Sequence, residues 1–224
     1  MNEREAAVRR LFSRLAPHYA LLNTVLTGGL HLLWRRVAVA AVPLPPGGLV
    51  LDVCAGTGDF AVALGRRGAS VVAVDLAEPM LATARRRTGG QVPVVVGNVL
   101  ELPFADAAFT AATVGFGLRH SESDLPRFLG EVRRVLRPGG VCVILELSHP
   151  PSPLWNWLTG LYVHHLVPLV GALADAEAYR YLSRSLTGYP DAPALRRMLL
   201  DAGFAACEYR LLAGGVVAVH VATA

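Results

Sequence analysis

The chain has 224 residues, of which 53% are hydrophobic and 17% charged, so it can bury a sizeable core and is too apolar to be intrinsically disordered. All 21 basic residues are arginine, which excludes mechanisms that depend on a lysine Schiff base or a lysine general base. The net charge of +4 permits an anionic partner, but the arginines are scattered in short clusters, so we expect no nucleic-acid partner.

The three cysteines, Cys54, Cys142 and Cys207, are far apart and embedded in apolar runs. A disulfide framework or a metal site is therefore not expected, and the cysteine usage favours a reducing cytoplasm. The N-terminal stretch MNEREAAVRR has no apolar signal region, so the sequence gives no indication of export.

Residues 1–45 predict a helical cap, in which LHLLWRRVAVAAV forms an apolar helix that ends before Pro43. From residue 46 to 148, short apolar runs alternate with helical patterns. The runs predict five strands, at 49–55, 70–75, 92–98, 109–116 and 141–147. The helices between them are predicted at 59–67, 78–87 and 124–136, the last closed by a glycine of the RPGG sequence.

Residues 149–190 read as a hydrophobic helical insertion, and residues 191–224 as a closing helix followed by two strands. Continuous apolar strands that alternate with helices predict a single α/β domain over residues 1–224. Its fold class is a doubly wound, mostly parallel seven-stranded sheet, with the helical cap before the sheet and the insertion after its fifth strand.

The loop after the first strand, DVCAGTGDF, is the first candidate binding element. In doubly wound sheets, ligands bind at the carboxyl ends of the strands near the point where the strand order reverses. Gly56 and Gly58 let the backbone pass close to a ligand, and Asp75 at the end of the second strand can accept hydrogen bonds from two ribose hydroxyls. The two glycines can also form only a tight turn.

Two cofactor classes compete for this loop. A nicotinamide dinucleotide needs a G-x-G-x-x-G pattern, whose third position is Ala61 here, and the carboxylate of Asp59 would repel a diphosphate at the helix start. S-adenosylmethionine has a ribose, a sulfonium and an ammonium but no phosphate, so it fits the loop better. Asn98, after the third strand, can donate to and accept from an adenine edge, or serve only as a turn residue.

Five segments resemble the motifs of class I S-adenosylmethionine-dependent methyltransferases: VLDVCAGTGDF, VVAVDLAEPML, VGNVLELPFADAAF, VGFGLRH and VRRVLRPGG. GFGLRH, YRYLSRSLTGYP and AGGVVAVH are more specifically similar to the menaquinone/ubiquinone-biosynthesis C-methyltransferases, as is the N-terminal LFSRLAPHYALLNTVLTGGLHLLWRR. The resemblance covers nearly the whole chain. It implies S-adenosylmethionine as cofactor and a lipophilic polyprenyl quinol as substrate.

The cofactor contacts expected from the loop and from the resemblance are Gly56, Thr57, Gly58, Asp75, Asn98, Val99 and Gly115. Two departures from the family concern the expected substrate side. The family usually has Asp where this chain has Ala20, and usually Asn where it has His120.

The implied reaction transfers the sulfonium methyl group to a ring carbon, with 2-demethylmenaquinol as the expected substrate. Arg119, just past the fourth strand, is the candidate for stabilising the quinolate oxygen, because its charge is permanent; it can also be a surface arginine that pairs with Glu122. Tyr19 and His31 in the cap are candidates for orienting the ring. His120 can serve as the base or be an ordinary loop histidine.

Other functions stay open on the sequence alone. The acceptor can be a ubiquinone-pathway benzoquinol or another small phenol. A nucleic-acid methyltransferase is disfavoured, because VGFGLRH lacks the paired prolines followed by an aromatic residue that the amino-methylating loop has. A module that binds the cofactor or a quinone without turnover is the third alternative.

Residues 150–174 contain no Asp, Glu, Lys or Arg. A bilayer span is not expected here, because it would separate strands that must pair within one sheet. The segment can be helices packed on the sheet, a homodimer interface, or a cover that receives a polyprenyl quinol or touches the membrane through Trp155, Trp157, Tyr162 and Leu166. We therefore expect a cytoplasmic protein with peripheral contact at the inner face of the plasma membrane.

Overall fold

The structure, a computed structural model, describes residues 3–16, 19–162, 165 and 189–224, and for residues 3–5, 7, 8, 122 and 123 it describes the backbone alone. Much of the predicted hydrophobic insertion lies outside these residues. Leu166 and most of the YRYLSRSLTGYP segment are among the positions not described.

The N-terminal cap has three helices: α1 (Glu3–Leu15), α2 (Tyr19–Thr27) and α3 (Leu30–Ala40). Phe12 of α1 and Tyr19 of α2 pack together on Met80, a residue of the sheet domain. Trp34 of α3 is buried in the core beside the sheet. The cap is therefore attached to the sheet domain through two separate apolar contacts.

Seven strands and five further helices follow within the described residues: β1 (Leu49–Val53), α4 (Asp59–Gly65), β2 (Ser70–Asp75), α5 (Glu78–Arg87), β3 (Val94–Val96), β4 (Phe109–Gly115), α6 (Leu125–Val135), β5 (Leu136–Leu147), α7 (Pro153–Leu161), α8 (Ala192–Asp201), β6 (Ala206–Leu212) and β7 (Val217–Thr223). The strand order is β3-β2-β1-β4-β5-β7-β6. Only the two pairings of β7 are antiparallel. The predicted doubly wound, mostly parallel seven-stranded sheet is confirmed.

Alternate residues of the strands pack on opposite faces of the sheet, as the period of two requires. Leu51 of β1 belongs to a cluster with Phe128 of α6 and Leu195 of α8. Its neighbour Val50 belongs to a second cluster with Phe60 of α4. Both faces are therefore covered by helices, and the open edge for a ligand is at the strand ends.

The prediction that a glycine of the RPGG sequence closes α6 is wrong. α6 ends at Val135, and Leu136 is already extended, with φ −83° and ψ 141°. Leu136 is buried and pairs with Phe109, so burial and sheet pairing take the chain straight into β5. Gly139, with φ +76°, lies inside β5, where the pairing with β4 shifts register before Ala111.

The described part of the insertion begins with α7. No residue of α7 is buried. The indole nitrogen of Trp155 donates to the carbonyl of Ala213 at 3.2 Å, and the Tyr162 hydroxyl donates to the carbonyl of Leu26 in α2. Within the described residues, no helix is both long enough and apolar enough to cross a bilayer.

Candidate active site

An open cleft lies where β1, β2, β3 and β4 end, and it encloses about 930 Å³ including space open to solvent. Six of the predicted site residues line it: Tyr19, Gly56, Asp75, Asn98, Val99 and Gly115. Four others do not: Thr57, Gly58, Arg119 and His31.

Asp75 is fixed by the backbone of two neighbouring segments. Its Oδ2 accepts from the Gly56 amide at 2.9 Å, and its Oδ1 accepts from the Ala77 amide at 2.8 Å. Burial raises the pKa of Asp75, against the lowering effect of these amide donors. Each carboxylate oxygen keeps a further lone pair, so a pair of ribose hydroxyls can donate to a carboxylate that is already oriented.

Asn98 forms a local turn and also lines the cleft. Its Oδ1 accepts from the Leu100 amide at 3.0 Å. Met80, Val99 and Leu100 add an apolar wall beside it. An amide next to an apolar wall at the end of β3 suits a flat heterocycle such as adenine.

Thr57 and Gly58 shape the loop from behind the cleft. Thr57 is buried, and Arg87 of α5 donates to its carbonyl at 2.8 Å and to its hydroxyl at 3.2 Å. Gly58 has φ +79°, and a Cβ there would lie 2.8 Å from the Cβ of Ala84. Glycine is thus required for the close approach of the loop to α5.

Asp59 is engaged by arginines and is not among the lining residues. Arg35 of α3 lies 3.1 Å from its Oδ2, and Arg87 lies 2.7 Å from its Oδ1. Although burial opposes them, the two arginines hold the pKa of Asp59 below its usual value. This carboxylate therefore joins the start of α4 to α3 and α5.

Two strained residues form the floor of the cleft. Cys54 follows β1 with φ +54°, and Phe116 follows β4 with φ +57°. The left-handed region is costly for residues with a side chain, and such residues cluster at binding sites. Between them, Gly115 leaves room for Phe60: a Cβ at Gly115 would lie 2.4 Å from the Phe60 ring.

An aromatic wall from the cap completes the cleft. The rings of Phe12 and His120 lie with centroids 4.8 Å apart at 74°, and those of Phe12 and Tyr19 are 6.0 Å apart at 72°. Ser121 and Asp124 also line this side. Phe12 and Asp124 were not predicted, because nothing local distinguishes an apolar residue of α1 or an acid before α6.

Arg119 lies behind this wall, paired with Glu146 of β5. Its Nη1 is 3.2 Å from Glu146 Oε1, and it is 9% exposed, so it is not a surface arginine. Burial raises the pKa of Glu146, against the opposing effect of Arg119 and the backbone amides. The Leu118 amide donates to the other carboxylate oxygen at 3.1 Å, so Glu146 fixes the start of the loop that carries His120.

His31 is buried in the cap. Its Nδ1 lies 2.8 Å from the Thr27 hydroxyl, and burial, helped by Arg35, lowers its pKa. Its contacts are therefore with the cap and with the Arg35–Asp59 pair.

In the part of the chain that the structure describes, no group of His, Cys, Asp and Glu could hold a metal ion.

The fold and the cleft define a class of protein. A doubly wound sheet with an antiparallel β7, a glycine loop after β1, and an acid at the end of β2 form the site of a methyltransferase that uses S-adenosylmethionine. The Thermotoga maritima SAM-dependent methyltransferase has the same fold, with a TM-score of 0.72, 19% identity, and coverage of 96% of this chain and 98% of that one. A Mesorhizobium loti S-adenosylmethionine-dependent methyltransferase superposes with a TM-score of 0.61, 19% identity, and coverage of 84% and 96%.

The chain belongs to the ubiE/COQ5 methyltransferase family, whose model matches residues 1–224. A demethylmenaquinone methyltransferase from Thermus thermophilus is 42% identical, covering 94% of this chain and 98% of that protein. Another, from Corynebacterium kroppenstedtii, is 39% identical, covering 100% and 96%. The ubiquinone/menaquinone biosynthesis C-methyltransferase UbiE of Ectopseudomonas mendocina is also 39% identical, covering 98% and 89%.

Proposed function

We propose that this chain methylates a ring carbon of a demethylated polyprenyl hydroquinone, with 2-demethylmenaquinol as substrate and S-adenosylmethionine as methyl donor. The observation that carries the proposal is family membership over the full chain. The relatives from Thermus and Corynebacterium are named demethylmenaquinone methyltransferases, which favours the naphthoquinol. The aromatic wall of Phe12, Tyr19 and His120 supports a flat ring as the acceptor.

The lining residues fit the cofactor. Asp75 accepts from the ribose hydroxyls, Asn98 and Val99 border the adenine, and Gly56 and Gly115 line the space for the methionine portion. When bound, S-adenosylmethionine supplies an electrophilic methyl carbon with a neutral thioether as leaving group. The cleft then has to hold the ring carbon in line with the methyl carbon and the sulfur, which reduces the entropic cost of the reaction.

The acceptor carbon becomes nucleophilic when a ring hydroxyl loses its proton. His120 accepts that proton, since a neutral imidazole is the best-suited base near neutral pH and its ring contributes to the cleft wall. Arg119 does not line the cleft, so we propose that its permanent charge stabilises the oxyanion from behind the cleft wall. After methyl transfer the ring carbon loses its proton and the ring oxygen regains one, so the reaction releases one proton overall.

We further propose that the protein works at the inner face of the plasma membrane, from the cytoplasm. α7 exposes Leu154, Trp155 and Trp157, and the α2–α3 hairpin exposes Leu21 and Leu33. There is no charged residue in α2 or α7. Apolar and indole side chains of this kind insert into the headgroup region of a bilayer, where a polyprenyl substrate resides.

The membrane-facing helices are continuous with the cleft. α2 begins at Tyr19, which lines the cleft, and its last turn accepts the hydrogen bond from Tyr162. A quinol ring could thus pass from the bilayer surface along α2 to the cleft while its prenyl tail stays in lipid. A homodimer through the same exposed face is the competing proposal.

A benzoquinol is the second candidate acceptor, because the relative from Ectopseudomonas is named for both ubiquinone and menaquinone biosynthesis.

The acceptor is tested by incubating the purified protein with methyl-labelled S-adenosylmethionine and, in separate reactions, demethylmenaquinol, a demethylated benzoquinol and RNA. We expect label in the naphthoquinol. Label in the benzoquinol alone would reassign the acceptor, and label in RNA alone would overturn the proposal.

A further inference from the structure

Arg35 of α3 is a buried arginine whose guanidinium is only partly satisfied. The residue is 8% exposed, and its Nη2 pairs with Asp59 at 3.1 Å. Within the described residues, its Nε and Nη1 have no hydrogen-bond partner. Buried donors are almost always paired, and leaving them unpaired is costly, so these two unpaired nitrogens require a physical explanation.

The surroundings of Arg35 carry a surplus of positive charge. Asp59, its only ion-pair partner among the described residues, is shared with Arg87 at 2.7 Å. Two permanent cations therefore face one carboxylate. His31 does not add to the charge, because burial and the nearby Arg35 lower its pKa. An anionic group beside Arg35 would restore the balance.

Arg35 lies next to Phe116, a residue that lines the cleft, although Arg35 itself is not one of the lining residues. Its guanidinium carbon lies 5.2 Å from the centroid of the Phe116 ring, and Phe116 lines the cleft at the end of β4. The strand order β3-β2-β1-β4 gives the cofactor a direction: adenine at Asn98 after β3, ribose at Asp75 in β2. The methionine portion therefore extends toward the ends of β1 and β4, where Arg35 is.

We infer that Arg35 binds the carboxylate of the methionine portion of S-adenosylmethionine. A carboxylate can accept a charge-assisted hydrogen bond from one of the two unpaired nitrogens. Asp59 and Arg87 then act as positioning residues: Asp59 holds the outer nitrogen of Arg35, and Arg87 holds Asp59. The cap helix α3 thereby contributes to cofactor binding, and this inference rests on the cofactor and not on the identity of the quinol.

The test compares S-adenosylmethionine with decarboxylated S-adenosylmethionine, which lacks only the carboxylate, by calorimetric titration of the full chain. We expect the wild type to bind the intact cofactor roughly tenfold or more tightly than the decarboxylated one. Arg35→Gln should bind the intact cofactor at least about tenfold more weakly, with little change for the decarboxylated one. Arg36→Gln, an exposed neighbour on the same helix, is the matched control and should behave as wild type.

Thermal unfolding of each variant separates loss of folding from loss of binding. If Arg35→Gln is folded and weakens both ligands equally, Arg35 only supports the cap, and the inference is wrong. The same holds if the variant keeps the wild-type preference for the intact cofactor. Neither result depends on methylation of any quinol. The binding test therefore decides the role of Arg35 even if the proposed quinol substrate is wrong.

Discussion

The guanidinium of Arg119 and the carboxylate of Glu146 form an ion pair behind the cleft wall, with Nη1 and Oε1 3.2 Å apart. Glu146 is 1% exposed and also accepts from the amides of Leu118 and Leu147. A single carboxylate therefore joins β5, Arg119 and the start of the loop that carries His120. Substitutions at Arg119 will change both the chemistry and the fold, and the two effects have to be measured separately.

Arg119→Ala should lower kcat by roughly 100-fold, because the oxyanion loses a preorganised cation. The same change leaves Glu146 buried without its counter-charge, which should lower the free energy of unfolding by about 3 kcal/mol. The Kd for S-adenosylhomocysteine should stay close to the wild-type value, since the proposed role of Arg119 is toward the acceptor oxygen and not toward the cofactor. Urea denaturation, calorimetry and steady-state assays measure the three quantities.

A double variant, Arg119→Met with Glu146→Gln, separates the two roles of Arg119. It removes both charges, so much of the lost stability should return, while kcat should remain low. Recovery of kcat together with stability would mean that Arg119 acts only through the fold.

Asp75→Ala should weaken cofactor binding strongly. It removes the proposed acceptor for the ribose hydroxyls and also the acceptor for the Gly56 and Ala77 amides, so the loop after β1 loses its anchor. We expect the Kd for S-adenosylhomocysteine to rise by roughly 30-fold or more. Asp201→Asn removes an exposed carboxylate at the end of α8 and should leave this Kd unchanged. Equal affinities for the two variants would contradict the assigned contact.

The free energy of unfolding of Asp52→Asn should increase relative to that of the wild type as the pH rises. Asp52 is buried between Ala61 and Thr113, and burial raises its pKa from 3.8 to about 7. Between these two values the folded protein holds a proton that the unfolded chain has lost, so wild-type stability declines as pH rises toward 7. The amide has no such dependence.

Urea denaturation at pH 5 and pH 8 measures this effect. The difference in the free energy of unfolding between Asp52→Asn and wild type should increase by on the order of 2 kcal/mol from the lower to the higher pH. A difference that is the same at both pH values would show that Asp52 titrates normally in the folded state.

His120→Asn should change the pH dependence of turnover. If His120 accepts the phenolic proton, kcat in the wild type falls at acidic pH because a protonated imidazole cannot take it up. The asparagine variant should have a lower kcat, without this acidic limb. Its Kd for S-adenosylhomocysteine should remain near wild type. A variant that keeps both the wild-type kcat and its acidic limb would exclude His120 as the base.

Trp157→Ser should reduce binding to lipid vesicles. Trp157 is 60% exposed on α7, and its indole is the type of side chain that inserts at a bilayer surface. Co-sedimentation with vesicles that contain anionic lipid should show a loss of several-fold. Leu211→Ser, a partly exposed apolar residue of β6, is the control. An unchanged vesicle fraction combined with a loss of dimer in ultracentrifugation would favour the dimer proposal instead.

Local patterns predicted the parts of the site that lie close together in the chain. Asp75 and Asn98 directly follow apolar runs, so their place at strand ends follows from the alternation of strands and helices. Asp59 shows the limit of this reasoning. Its position at the start of α4 was predictable, but its partners come from α3 and α5, and no local pattern indicates that two arginines converge there.

The sequence by itself determined the α/β class, the sheet, the glycine loop and the polar residues that follow the strands, because hydrophobic periodicity and strand-end residues are local properties. Tertiary structure alone decided which side chains meet across the chain. It placed Phe12 against His120, Arg119 against Glu146, and Arg35 beside Phe116. These contacts join residues from distant segments, and only packing of the cap and β5 around the sheet brings them within a few ångströms.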